Sequence, residues 1–345
     1  MEMNWDIYWH AGDVLYYVVF NIARALLAFL QWDSYLYWPF LVSTVVLVVG
    51  LAAYSSRSPN AICWPAFKLG VSSLLSRDLW WHRSARADYK LYFCNALIHP
   101  AVLAPLLMTN STVVLELDKF LSNGGALLEI SSANSWAIRA AFTIAFFLAY
   151  DFGRFASHCM LHDVQMLWPF HKVHHSAEVL TPMTSFRVHP VEILLMAWIP
   201  ILATGTLTWA FNRVFGESIN AYTFMGLHVI IWFFNLIDNL RHSPVWLTYG
   251  KSLDHWLISP SHHQVHHSIE SRHWGCNRGS NIALWDRIYG TLYVPAEKQE
   301  AFRMGLGDGS EILWHDVWHI YVQPFKESIS VLSRPLSADQ GRNQK

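Results

Sequence analysis

"WAIRAAFTIAFFLAYDFGRFASHCMLH", residues 136–162, decides the fold class. Residues 136–150 are apolar except for Arg139 and Thr143, and no proline or turn signal separates them from "DFGRFASHCMLH". A single helix therefore carries a membrane-type surface directly into Asp151, His158 and His162, which are spaced by seven and four residues and share one face. An i, i+4 histidine pair on that face can chelate one ion, and an aspartate one or two turns back can orient a ring by accepting its second N–H.

The composition agrees with a lipid environment. Hydrophobic residues make up 53% and charged residues 14% of 345 positions, and the mean hydropathy is +0.22, all unusual for a soluble globule. Four further runs suit a hydrocarbon layer of about 30 Å: 38–54, 91–108, 193–211 and 222–237. The segment 14–31 is weaker because Asn21 and Arg24 lie inside it. The reading is an all-α integral membrane bundle of about four to six spans. The expected units are 1–135 (membrane helices and a basic connection), 136–295 (catalytic) and 296–345 (a C-terminal extension with a frayed polar tail, "SADQGRNQK").

Charge orients the bundle. Residues 55–90 hold Arg57, Lys68, Arg77, Arg83, Arg86 and Lys90, whereas 109–135 offers Lys119 and the turn near 212–218 offers Arg213. The positive-inside tendency makes the first connection cytoplasmic, and counting forward places 151–192 and 238–345 on the same side. The start, "MEMNWDIYWHAGD", lacks the basic region of a cleaved signal peptide. Cys63, Cys94, Cys159 and Cys276 show no paired spacing, which suits reduced thiols. With 24 Lys+Arg against 25 Asp+Glu there is no electrostatic footprint for nucleic acid.

Thirteen of 19 histidines fall between 158 and 267. "HKVHH" at 171–175 and "HQVHH" at 263–267 both present imidazoles at i, i+3 and i+4, so the third ring of each can serve a neighbouring ion. His158, His162, His171, His174, His175, His263, His266 and His267 exceed the need of one metal, and the excess suits a two-metal cluster. His228, Asn235, Asp238 and His242 form a stripe of about 80° on the last span. His242 stands at its cytoplasmic end, while the deeper His228 suits an interhelical hydrogen bond. His315 and His319 in "HDVWH" read as coincidence on a peripheral helix. A structural zinc site closes with four ligands, and Cys159 stands where a zinc-protease motif has glutamate. All-imidazole ligation does not select iron over zinc by affinity, but an iron pair activating O₂ against a C–H bond would justify so many neutral ligands beside a hydrophobic interior.

"DFGRFASHCMLHDVQMLWPFHKVHHS", "FRVHPVE", "RHSPVW", "SPSHHQVHHS" and "NIALWDRIYGT" together resemble the sterol desaturase and fatty acid hydroxylase superfamily of integral-membrane di-iron oxygenases, over roughly 145–292. The resemblance implies metal ligation by His158, His162, His171, His174, His175, His242, His263, His266 and His267, with Asp151 as the acidic residue ahead of the first histidine box. Phe155 and Cys159 depart from the tyrosine and arginine often found there. Asp238 stands where many members place a histidine, so the tenth ligand is open among Asp238, His228, His262 or none. Asp151 and Asp238 are expected behind the ligands rather than on the metal, and His189, Trp285 and Asp286 as structural support.

The activity so implied is monooxygenase hydroxylation of a sterol, fatty acyl, sphingoid or ether lipid: two Fe ions activate O₂, and a hydrogen is replaced by a hydroxyl. Electrons come from NAD(P)H through a separate reductase or small carrier, or from a pterin in an ether-lipid-cleaving member, since the chain carries no GxGxxG loop. The alternatives are a desaturase on the same scaffold and a non-enzymatic membrane metal-binding protein. The last is disfavoured because 38–54 and 193–211 are almost free of ionisable residues.

Overall fold

The computed structural model describes residues 11–57, 68, 71–121, 136–215 and 218–332. Cys63, the first ten residues, positions 122–135 of the expected outer connection and the tail "SADQGRNQK" lie outside the described residues. The first half contains α1 (Ala11–Leu26), α2 (Trp38–Arg57), α3 (Arg77–Trp80), α4 (Arg83–Ile98), α5 (Asn110–Leu121) and α6 (Trp136–Asp163). The second contains α7 (Trp168–His175), α8 (Pro190–Phe215), α9 (Val229–Asp238), α10 (Pro260–His266), α11 (Leu284–Tyr289) and α12 (Val317–Leu332).

This is an all-α membrane bundle. Three stretches, Arg83–Leu121, Trp136–Asp163 and Pro190–Phe215, are long and apolar enough to cross a bilayer. No more than 28% of any of these apolar windows is buried inside the protein, so their surfaces face outward as lipid-contacting helices do. Val14–Leu26, Trp38–Leu51 and Val229–Asp238 are apolar but shorter.

Helix α6 packs antiparallel to α8. At one end Phe142 meets Phe211 with ring centroids 5.1 Å apart, and toward the other Gly153 faces Pro200. A Cβ on Gly153 would fall 2.5 Å from Pro200 Cα, so only glycine permits this approach. Helix α5 runs alongside α8, where Val113 meets Gly205 and Trp209 Nε1 donates to Asp118 Oδ1 at 2.8 Å. Helix α9 returns beside α6 with Phe234 stacked on Phe147, and α2 covers it through Phe40 on Trp232.

The expected helix over 222–237 is corrected. Its first third is an antiparallel hairpin, β1 (Thr223–Phe224) and β2 (Leu227–His228), and helix begins only at Val229. Met225 and Gly226 both take positive φ, 50° and 85°, as a two-residue hairpin loop requires. Ten helical residues rise about 15 Å, so α9 alone spans half a bilayer. The polar stripe is broken accordingly: His228 precedes the helix and His242 follows it.

Short helices cap one end of the bundle. Leu91, Val173, Leu306, Trp314 and Ile320 form a core that joins α4, α7 and α12. Beneath it Arg187 and Asp88 make a fully buried ion pair at 2.9 Å, and Arg187 also donates to Val173 O and Ser176 Oγ at the end of α7. This clamp fixes the short helix that carries the second histidine box.

Candidate metal centre

Three helices deliver most of the imidazoles. The last two turns of α6 present His158 and His162 from one face. Helix α7 begins with Pro169 in its first turn and presents His171, His174 and His175. Helix α10 begins with Pro260 after a Ser259–His262 capping box and presents His263 and His266, with His267 as its C-cap. His242 arrives from the loop after α9.

The nine rings resolve into two groups. Ring nitrogens of His158, His162, His171, His175 and His266 lie within 4.8 Å of one another, and so do those of His174, His242, His263 and His267. Each HxxHH box is shared: the second gives its first and last rings to the group of five, and the third gives its first and last to the group of four. The i+3 ring of each box crosses to the other group.

Hydrogen bonds fix several tautomers. A carbonyl can only accept, so His158 Nδ1–H donates to Arg278 O at 2.7 Å and His266 Nδ1–H to Cys276 O at 2.7 Å. His171 Nδ1 lies 2.8 Å from Glu192 Oε1, and Ser185 Oγ lies 2.9 Å from His242 Nδ1. The Nε2 atom of His158 is thus left without a proton, and it stands 3.0 Å from the Nε2 of His171. With His171 Nδ1–H donating to the Glu192 carboxylate, two lone pairs meet at that separation and repel unless a cation lies among them. Ligands about 2.1 Å from one ion are about 3.0 Å apart at right angles and about 3.4 Å apart in a tetrahedron. The Nε2 separations among these rings, 2.8 Å for His242–His263 through 3.3 Å for His162–His266, match that spacing.

Burial keeps the rings neutral. It pushes His171, His174 and His266 down to about 3, and it lowers His175, His242, His263 and His267 well below 6.5, with neighbouring rings adding to the effect. Neutral imidazole is the form that ligates. The donor set therefore fits transition-metal ions in two adjacent positions.

Other residues singled out by the sequence take different places. Asp151 does not touch an imidazole: its carboxylate accepts from Asn281 N and Nδ2, Ile282 N and Trp285 Nε1, which corrects the expectation that it orients a ring directly. It fixes the loop whose start, Cys276 to Arg278, supplies the carbonyls for His266 and His158. Asp286 holds the same loop from the other side through Arg278 N and Gly279 N, both at 2.7 Å. Asp238 pairs with Arg241 at 3.1 Å and lies outside both groups. His228 donates to Thr143 O and stacks on Phe146. His262 Nδ1 accepts from Ser259 N as a helix cap. His189 accepts from Val191 N, and His315 pairs with Glu178. Cys94, Cys159 and Cys276 are free thiols.

Sequence reasoning missed Glu192, Ser185 and the two carbonyls. Glu192 lies 21 residues from His171, and only the tertiary packing of α8 against α7 joins them. A cavity of about 440 Å³ opens beside both groups, reached by His158, His171, His174, His242 and His263. Its apolar wall includes Ile193, Met196, Leu227 and Ile231.

Residues 143–291 match the family model described as fatty acid hydroxylase. Among curated proteins the chain is similar to alkylglycerol monooxygenase of Homo sapiens, 29% identical over 153 residues that cover 44% of this chain and 31% of that protein. Ornithine lipid hydroxylase OlsE of Rhizobium tropici is 28% identical over 42% of this chain and 40% of its own length. Delta(7)-sterol 5(6)-desaturase ERG3B of Gibberella zeae is 26% identical over 46% of this chain and 44% of its own length. The matched region thus spans 31% to 44% of the length of these relatives. No solved structure matches the chain significantly.

Proposed function

With the chain a member of the sterol desaturase and fatty acid hydroxylase superfamily, we propose that it is a membrane di-iron oxygenase that hydroxylates a C–H bond of a lipid. The observation that carries this reading is the two groups of imidazoles, five and four, whose ring nitrogens lie within 4.8 Å of one another in each group beside a partly apolar cavity. His158, His162, His171, His175 and His266 would hold one iron, and His174, His242, His263 and His267 the other. When bound, the iron pair supplies reductive activation of O₂, with the balance R–H + O₂ + 2e⁻ + 2H⁺ → R–OH + H₂O.

The chain's own residues orient and shield. Glu192 and the carbonyls of Arg278 and Cys276 aim His171, His158 and His266 by holding their Nδ1 protons. Ile193, Met196, Leu227 and Ile231 seat an acyl or ring skeleton against the metal-facing wall and exclude water, which contributes several kcal/mol, of order 10, through orientation. The catalytic unit is 136–295, carried by the membrane helices of 1–135 and extended by 296–345. Electrons enter from NAD(P)H through a separate reductase or carrier. The basic residues Arg77, Arg83, Arg86 and Lys90 flank the histidine end, where Ser84 and Asp88 meet Arg187, and this supports a cytoplasmic metal centre.

The test is untargeted lipid mass spectrometry of an iron- and oxygen-replete host with a working electron donor, expressing the full chain or its His171→Ala, His174→Ala variant. Lipids with one added oxygen, present only with the intact chain, are expected. Loss of two hydrogens would assign desaturation, the reading favoured by the likeness to the sterol desaturase. Matching lipid profiles would overturn the oxygenase reading.

A further inference from the structure

The same cavity holds a cation that the metal chemistry does not use. Arg154 lies on α6 one turn before His158, and both line the cavity. Its Nε donates to Ser280 Oγ at 3.3 Å, and among the described residues no carboxylate oxygen comes within the 4.0 Å of an ion pair.

The other charges along the wall already have partners. Asp238 pairs with Arg241 at 3.1 Å and Asp33 with Arg24 at 3.7 Å, while Glu192 is hydrogen-bonded to the neutral ring of His171 at 2.8 Å. Asp151, on the same helix, spends both oxygens on Asn281, Ile282 and Trp285. The two Nη groups of Arg154 thus make no hydrogen bond or ion pair among the described residues, while Asp238 and Asp151 act on its charge from beyond 4.0 Å. A donor fork of this kind on a cavity wall is placed to take an anionic oxygen group of a ligand. Tyr35 and Tyr150 line the same cavity and add hydroxyl donors. The apolar side chains Ile193, Met196 and Ile231 line it as well, so the occupant is an amphiphile with an anionic head.

We propose that Arg154 anchors the anionic oxygen group, carboxylate or phosphate, of the lipid that this cavity takes. The planar fork of arginine matches two oxygens of either group, which a lysine point charge does not. One turn of helix, about 6 Å, separates Arg154 from His158, so the oxidised carbon lies toward the headgroup end of the chain. The inference rests on the oxygenase reading for its chemistry but not for its binding.

The test measures binding of hexadecanoate, hexadecyl phosphate and neutral 1-hexadecanol to the full-length, iron-loaded protein in nanodiscs. The wild type is expected to prefer at least one anionic probe over the alcohol by about tenfold or more. Arg154→Gln should lose that preference while keeping its iron and its affinity for the alcohol, and Arg154→Lys should keep part of it. Whichever anion binds more tightly names the headgroup. A wild type that does not discriminate, or an Arg154→Gln that discriminates equally, would overturn the anchor. If no probe or host lipid is oxidised yet the Arg154-dependent preference holds, the oxygenase reading fails and the anion site stands.

Discussion

His158 Nε2 and His171 Nε2 stand 3.0 Å apart, and each ring has already committed its other nitrogen, His158 to Arg278 O and His171 to Glu192. The carboxylate therefore decides which nitrogen of His171 faces its neighbour. Glu192→Ala should lower metal affinity by about 10- to 100-fold, and Glu192→Gln, which can still accept the bond, by less. Competition with a chelator of known affinity measures both.

The two groups of rings make a residue-specific prediction. His174→Ala should reduce bound metal from two ions per chain toward one, because His174 belongs to the group of four alone. His262→Ala, one residue before His263, should leave the metal content intact and cost about 1 kcal/mol of stability as a lost helix cap. Elemental analysis of the purified variants, with thermal unfolding beside it, separates these outcomes.

Acid should destabilise the metal-free protein in a defined direction. Burial holds His171, His174 and His266 at about 3, below the ordinary histidine value, so the unfolded chain takes up protons first. Their contribution is complete above about pH 6.5 and is lost as pH falls toward about 3, with each ring adding up to about 1.4 kcal/mol per pH unit. Denaturation of the chelated protein in detergent should show stability falling steeply from about pH 6.5 downward.

Helices α6 and α8 approach most closely where Gly153 faces Pro200. Gly153→Ala places a methyl 2.5 Å from Pro200 Cα, and backbone cannot move aside as a side-chain tip would. The expected loss is about 1–3 kcal/mol, with reduced metal content because His158 shares the displaced helix. Thermal unfolding and metal analysis of the variant check both parts.

The imidazoles were legible because helical spacing alone brings His171, His174 and His175, or His263, His266 and His267, to one edge. Their partners were not, because Glu192, Ser185, Cys276 and Arg278 come from other elements. Asp151 shares a helical face with His158, yet its carboxylate turns toward the backbone of Asn281 and Ile282, a contact 130 residues away. The hairpin at 223–228 was hidden because its apolar residues read equally well as helix, and Gly226 was the single local signal. Arg154 carried no signal in the sequence, and only the cavity shows it on the same wall as His158.

Metal analysis combined with X-ray absorption on the purified, full-length, iron-loaded chain tests the central claim most directly. The account predicts two iron ions per chain in shells dominated by imidazole nitrogen at about 2.1 Å. One ion per chain, or a shell rich in sulfur, would contradict it.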